Sequence, residues 1–353
     1  MNRIKADKSC VYERFVAIRR QRKHNRRQQL RGKIQGLTAF LCVFCALLWP
    51  KTAFALEIIA HRGASAYAPE NTFASEKLAQ KMGADWLEAD LVSTEDHQLI
   101  LSHDLWLDET TDIATRFPTR KRRDGHFYAL DFSLAELRTL SMRPRIEASG
   151  KRTFPDRKIN LTGARITTLA ELLTLKNGAA GFYLELKAPR WHRRNGVDIS
   201  KSLLEQLRQA KIPARRVWLE CFDPGELKRL RGELRSPFRQ TQLIGQQNEV
   251  FDPNGQRFDF DAMRTPSGLN QIKRYADAIG PRIDFVINGL GVSNFVAQAH
   301  VAGLAVHPYV FQTDRFPFAF PLTQNWIRTF QRARVESLFT DQPDVVLHSL
   351  SHQ

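Results

Sequence analysis

With 353 residues, 42% of them hydrophobic, the chain can fill a sizeable core, and a charged fraction of 25% is ordinary for a globular protein. The formal net charge of +16 suggests a polyanion partner, but its distribution excludes that reading. Residues 1–55 hold thirteen lysines and arginines against two acids, Asp7 and Glu13, which leaves 40 basic and 35 acidic residues for the remainder; a body this mildly basic suits a small anionic substrate and requires no nucleic acid.

The first 55 residues read as a targeting segment. Arg19-Arg20-Gln21-Arg22-Lys23 and Arg26-Arg27 form a positive region ahead of a 14-residue apolar run, Gly36 to Trp49, too short to span a bilayer comfortably. Ala53-Phe54-Ala55 is an A-x-A cleavage signal. The pattern predicts a signal peptide over 1–55, a secreted domain over 56–353, and no stable membrane span after cleavage; an uncleaved anchor is the other reading. Cys10, Cys42 and Cys45 fall in the leader. Cys221 alone remains, so no internal disulfide forms, and its apolar surroundings predict a buried, inert thiol.

From residue 57 onward, short apolar runs alternate with helical patterns, the signature of βα units. Glu57–His61 reads as a strand. Thr72–Lys81 reads as a helix capped by Asn71 or Thr72 and stopped by Gly83. Trp86–Val92 reads as the second strand. Leu99–His103 follows too soon for a parallel crossover, so these two runs form an antiparallel hairpin. Residues 104–165 are basic and turn-rich, with one short helix over Ser133–Leu140, and read as an insertion or lid. Helices then follow over Thr168–Leu175, Val197–Ala210, Gly225–Leu234, Leu269–Tyr275, Asn294–Val301 and Asn325–Ala333. They alternate with strands over Phe182–Leu186, Val217–Cys221, Gln240–Ile244, the weak run Ala276–Gly280, Leu304–Tyr309 and Ser337–Thr340. Without the hairpin arm the strands number eight, which predicts an α/β fold, a TIM (β/α)8 barrel.

In such barrels the chemistry sits at the C-terminal strand ends. His61 and Arg62 end the first strand. Glu88 and Asp90, two apart, share one face of the second. His103 ends the hairpin arm; Glu185 and Lys187 end the next strand. Three carboxylates converging on one mouth require a cation to stay ionised, and oxygen ligands without cysteine favour Ca²⁺ or Mg²⁺. Arg62 and Lys187 would neutralise a phosphate, and His61 and His103 would serve as acid and base. Together these parts describe phosphodiester cleavage. His97, His126, His192 and His300 read as structural or surface residues, and His307 is ambiguous.

Ile59-Ala60-His61-Arg62-Gly63-Ala64-Ser65 with Pro69-Glu70-Asn71-Thr72 resembles the opening motif of glycerophosphodiester phosphodiesterases. Leu87-Glu88-Ala89-Asp90-Leu91 with Leu101-Ser102-His103-Asp104, and Leu184-Glu185-Leu186-Lys187, are similar to the next blocks. Cys221-Phe222-Asp223, Ala305-Val306-His307-Pro308-Tyr309 and Leu338-Phe339-Thr340-Asp341-Gln342-Pro343-Asp344 resemble later blocks of the periplasmic bacterial type. The resemblance implies a TIM barrel with an insertion, a periplasmic location, and hydrolysis of glycerophosphocholine, glycerophosphoethanolamine and related diesters to sn-glycerol 3-phosphate and an alcohol. It implies Glu88, Asp90 and Glu185 as ligands of Ca²⁺, His61 and His103 as the acid–base pair, and Arg62, Lys187 and Phe222 as substrate contacts. Glu220 departs from the pattern: it stands where a neutral residue is expected, facing either outward or into the pocket, where it would favour cationic head groups. Two alternatives compete, a lipid-cleaving barrel phosphodiesterase and a non-catalytic glycerophosphodiester-binding protein. The first needs an apolar rim, and the second has no need of an acid–base pair.

Overall fold

The computed structural model describes residues 55–147, 149–288, 291–314 and 323–351. The leader expected over 1–55, with Cys10, Cys42 and Cys45, lies outside them save for Ala55. Among the described residues no helix is long and apolar enough to cross a membrane.

Among the described residues eleven strands follow one another. They are β1 (Glu57–Ala60), β2 (Trp86–Ser93), β3 (Leu99–Leu101), β4 (Gly181–Leu186), β5 (Val217–Cys221), β6 (Arg239–Ile244), β7 (Ala278–Pro281), β8 (Ile287–Asn288), β9 (Gly291–Val292), β10 (Ala305–Val306) and β11 (Ser337–Thr340). Eight of them lie side by side in the order β10–β7–β6–β5–β4–β2–β1–β11, every pair parallel. The ring closes from the end of β10 to β11, where Phe311 N donates to Phe339 O at 2.8 Å and Phe339 N to Pro308 O at 3.1 Å. The result is a nearly closed, TIM-like barrel of eight parallel strands, as the strand count predicts. The short arm β3 pairs antiparallel with β2, also as expected, and β8 and β9 form a small separate hairpin.

The core lies in two shells. Leucines, isoleucines and phenylalanines of the strands' outer faces pack against the surrounding helices. Inside the barrel Ile59, Trp86, Tyr183, Trp218, Ala278 and Phe339 form a second, mainly aromatic cluster, with Tyr183 and Trp218 stacked at 5.8 Å between ring centroids. The barrel is therefore plugged and has no pore. A third cluster, including Leu107, Ile113, Phe127, Phe132 and Trp191, gives the 104–165 segment a core of its own against the β2–β3 arm.

Element ends differ from expectation where proline intervenes. The run Leu304–Tyr309 yields a strand of only two residues, because Pro308 supplies no N–H and the chain then crosses to β11. Helices Pro189–Arg194 and Pro343–Ser351 escape the periodicity reading altogether. Each begins at a proline, where the missing N–H would have had no partner in any case.

The helix Phe73–Met82 positions the site's first strand end. Thr72 caps it, accepting from Ser75 N at 3.2 Å, and Gly83 ends it at φ 96°. Gly63 sits under that helix at φ +79°, and a Cβ there would lie 2.4 Å from Ser75 Oγ, 2.6 Å from Ser75 C and 2.7 Å from Glu76 N. Two of those atoms are backbone and cannot swing away. Gly63→Ala should therefore cost roughly 2–4 kcal/mol, the sum of overpacking and a left-handed φ. Thermal unfolding checks this: an unchanged melting temperature would show that helix and strand separate freely.

Candidate active site

The pleat carries each strand from the aromatic floor to a polar level two residues further on. Ile59 gives way to His61, Trp86 to Glu88 and Asp90, Tyr183 to Glu185, Trp218 to Glu220, and Phe339 to Asp341. Register sets Asp90 beside Glu185 and Glu185 beside Glu220 on adjacent strands. Four carboxylates thus face one mouth. Glu88, Asp90 and Glu185 are buried, with one oxygen of each within 4.8 Å of the others. Glu220 is 1% exposed, and its Oε2 has no hydrogen-bond partner. It faces the cavity, which resolves the two orientations open in the sequence.

This crowding moves every acid. Burial, with Asp90 and Glu220 nearby, pushes the Glu88 carboxyl far up. Burial, with Glu185 and Asp90, does the same to Glu220. Glu185 rises to about 7, burial and Asp90 outweighing Lys187. Asp90 goes the other way: against its burial, Lys187, Arg62 and His103 hold it well below the usual carboxylate range. Lys187 Nζ lies 2.9 Å from Glu185 Oε1 and 3.5 Å from Asp90 Oδ1. Arg62 Nε lies 3.3 Å from Asp90 Oδ2, and its backbone N–H donates to Glu88 Oε2 at 2.7 Å. Asn71 exchanges two hydrogen bonds with Asp90, one to the carboxylate at 2.8 Å and one from its N–H at 3.1 Å.

Both predicted histidines are oriented the same way. Nδ1 of His61 lies 2.7 Å from Asp341, and Nδ1 of His103 lies 2.7 Å from Asp104. A carboxylate accepting from Nδ1–H leaves Nε2 as the working nitrogen. Asp341 also accepts from Ser65 at 2.7 Å and from Gln312. Burial, Arg62 and Lys187 lower the His103 pKa to about 4. His307 is separate: it hydrogen-bonds Tyr183 at 2.8 Å inside the aromatic floor, and burial drops its pKa to about 3. Cys221 is buried, its thiol pushed up by burial.

The structure brings together His61, Arg62, Glu88, His103, Glu185 and Phe222 around a cavity of about 530 Å³. Asp90 lies beneath it. Lys187 belongs to an adjoining cavity of about 660 Å³ that shares His103, Glu185 and Phe222 with the first.

Sequence reasoning gives no role to Glu70, Asp104 or Asp341, although all three stand in the motifs quoted above. Their types and positions fit second partners for Arg62 and the histidines. Arg145 leaves no signal at all, because it comes from the turn-rich insertion. It grips Glu70 with two nitrogens at 2.8 and 2.9 Å, reaches Asp104 at 2.7 Å and also contacts Glu109. One guanidinium thus ties the insertion to the supports of both Arg62 and His103.

A barrel mouth with clustered acids and two carboxylate-braced imidazoles has the parts that a phosphoric diester hydrolase needs. The Glycerophosphoryl diester phosphodiesterase family model matches residues 61–345, and the chain belongs to that family. It is similar to the glycerophosphodiester phosphodiesterase of Haemophilus influenzae, 33% identical over 318 residues, spanning 81% of this chain and 87% of that one. It is also similar to the corresponding enzyme of Treponema pallidum, 30% identical over 341 residues, spanning 86% and 96%. The crystal structure of the Agrobacterium tumefaciens glycerophosphodiester phosphodiesterase shares the fold at TM-score 0.56 and 22% identity, over 83% of this chain and all of that one. An Oleispira antarctica phosphodiesterase, solved with its product sn-glycerol 3-phosphate, does so at 0.59 and 20%, over 85% and 98%. The protein is a glycerophosphodiester phosphodiesterase.

The Arg145 bridge makes a stability prediction. Burial alone would raise the Glu70 carboxyl, yet Arg145 and Arg62 hold it at about 2. A depressed acid contributes stability above its unfolded pKa, and loses it as pH falls toward the folded value. Arg145→Met leaves Glu70 with Arg62 alone, 2.9 Å away, and should cost about 1–3 kcal/mol at pH 7. The deficit should shrink as pH drops from 5 to 3. Denaturant melts of both proteins across that range test this; a pH-independent deficit would mean that lost packing, not charge, is responsible.

Proposed function

We propose that the enzyme is exported to the periplasm and hydrolyses glycerophosphodiesters of small alcohols, choline and ethanolamine among them, to sn-glycerol 3-phosphate and the free alcohol. The observation that carries this reading is the convergence of Glu88, Asp90 and Glu185 beside two imidazoles, each braced by a carboxylate. The product held by the Oleispira antarctica phosphodiesterase supports the same choice of substrate half. The apolar run and A-x-A signal before residue 56 support export.

The donor set fits a hard divalent cation, Ca²⁺ first and Mg²⁺ second: three buried carboxylates within mutual ligand distance, and no sulfur or imidazole among them. Glu88, Asp90 and Glu185 would hold the ion, which supplies Lewis-acid polarisation of a phosphate oxygen when bound. Arg62 and Lys187, both beside Asp90, contact the diester's negative charge. Phe222 lies against the substrate where the two cavities meet. The substrate's own glycerol hydroxyl attacks phosphorus to give a cyclic phosphate, which water then opens. One imidazole Nε2 takes the hydroxyl proton while the other gives a proton to the departing alcohol oxygen, and the second step reverses the transfer. Asp341 and Asp104 keep each ring in the tautomer that this exchange needs.

The test is release of glycerol 3-phosphate from glycerophosphocholine. Excess chelator should abolish turnover and added Ca²⁺ restore it. His61→Ala and Asp341→Asn should each lower kcat by about 10²- to 10⁴-fold, as loss of a general acid–base group or of its correct tautomer does elsewhere. Full turnover in chelator, or a fully active Asp341→Asn enzyme, would overturn the proposed site.

A further inference from the structure

The adjoining cavity of about 660 Å³ takes part in the mechanism above only at one end, where Lys187 and Asp104 line it and it shares His103, Glu185 and Phe222 with the catalytic cavity. It contains none of His61, Arg62 and Glu88. It is too large for a glycerol unit alone and adjoins the catalytic cavity at His103, Glu185 and Phe222.

Two aromatic groups line it. One comes from the insertion, where the Trp106 and His126 rings stack with centroids 4.3 Å apart and Tyr128 meets Trp106 edge-on. The other comes from the barrel side, where Phe222 lies 4.6 Å from Phe251 and Phe251 lies 5.4 Å from Phe258. Val250, 50% exposed, stands at the rim.

The sign of the charge in this lobe follows from its pairings. Each basic side chain that lines it is already matched: Lys187 with Glu185 and Asp90, Arg190 with Asp223 at 3.1 Å, and Arg282 with Asp284 at 3.1 Å. Asp104 is taken by Arg145. Asp124, Glu249 and Asp252 also line the lobe, and among the described residues no cation forms a salt bridge with any of them. Hydrogen bonds fix all three in place: Tyr128 Oη donates to Asp124 at 2.7 Å, Gln246 N to Glu249 at 3.0 Å, and Asn254 N to Asp252 at 2.9 Å. The surplus is negative, on aromatic walls.

We propose that this second lobe is the alcohol subsite of the diester, and that it selects alcohols carrying an ammonium group, quaternary ones above all. Aromatic faces attract such cations through the ring quadrupole, most strongly where water is displaced. Unpaired carboxylates around the rim add a field of the same preference and disfavour anionic alcohols. The insertion thus supplies specificity as well as Arg145. This inference rests on the proposed reaction, which places a glycerophosphodiester across both lobes.

Steady-state release of glycerol 3-phosphate from glycerophosphocholine and from glycerophosphoglycerol compares two diesters that differ only in the alcohol. The wild-type protein should favour the choline diester by at least about fivefold in kcat/KM, the scale of one good cation–π contact. Asp124→Asn with Glu249→Gln, both at exposed positions, should reduce that ratio about threefold or more through KM for the choline diester. Phe251→Leu should reduce it as well. Equal wild-type efficiency on both diesters, or a ratio that the variants leave unchanged, would overturn the subsite while leaving the reaction intact. Failure to hydrolyse any diester would be a different result and would overturn the reaction and the subsite together.

Discussion

Repulsion among buried carboxylates is the interaction on which the rest of this molecule depends. Two unit charges about 4 Å apart repel by about 4 kcal/mol at an effective dielectric of 20. Glu88, Asp90 and Glu185 come within that order of distance of one another, with Glu220 next in the row. Such a group cannot stay fully ionised by itself. Lys187 and Arg62 satisfy Asp90, while Glu88, Glu185 and Glu220 are driven toward neutrality. The proposed divalent cation would resolve the remaining conflict among Glu88, Asp90 and Glu185.

The scaffold's part is to make the convergence unavoidable. The aromatic floor of Trp86, Tyr183, Trp218 and Phe339 fixes the height of each strand inside the ring, so the residues two positions further on have no alternative level. A slip of one residue would drive charges into the helical shell and apolar side chains into the mouth. Gly63 lets β1's end approach the capped helix Phe73–Met82 closely enough for Arg62 N–H to reach Glu88. From the other side the insertion closes the site through Arg145, whose three acidic partners bind it more firmly than exposed pairs could.

Much of this was legible in the sequence because it is local and periodic. The two-residue spacing of Glu88 and Asp90, and of Glu185 and Lys187, declares a shared face. The short gap before Leu99 declares a hairpin, and eight apolar runs declare a ring. Asp341 and Asp104 bracing the histidines were not legible as such, because Asp341 meets His61 only after the barrel closes across 280 positions. Arg145 could not be found by pattern at all, since no periodicity governs a turn-rich insertion. Glu220 illustrates the middle case: its type was visible, but its direction depended on the phase of β5, which Trp218 in the floor sets. The helices that begin at Pro189 and Pro343 went unread, although proline is favoured at the first helical position.

The central claim is that the acids at the barrel mouth are a cation site held partly protonated until the ion arrives. Calorimetric titration of the chelator-treated protein with Ca²⁺ near pH 7, repeated in buffers of different ionisation enthalpy, tests it most directly. Metal ligation by protonated carboxylates must release protons. With Glu185 poised near 7 and Glu88 above its ordinary range, binding should occur at one site, release about one proton or more per ion, and disappear in Glu88→Gln. Binding that releases no proton, or that survives the loss of Glu88, would contradict the account.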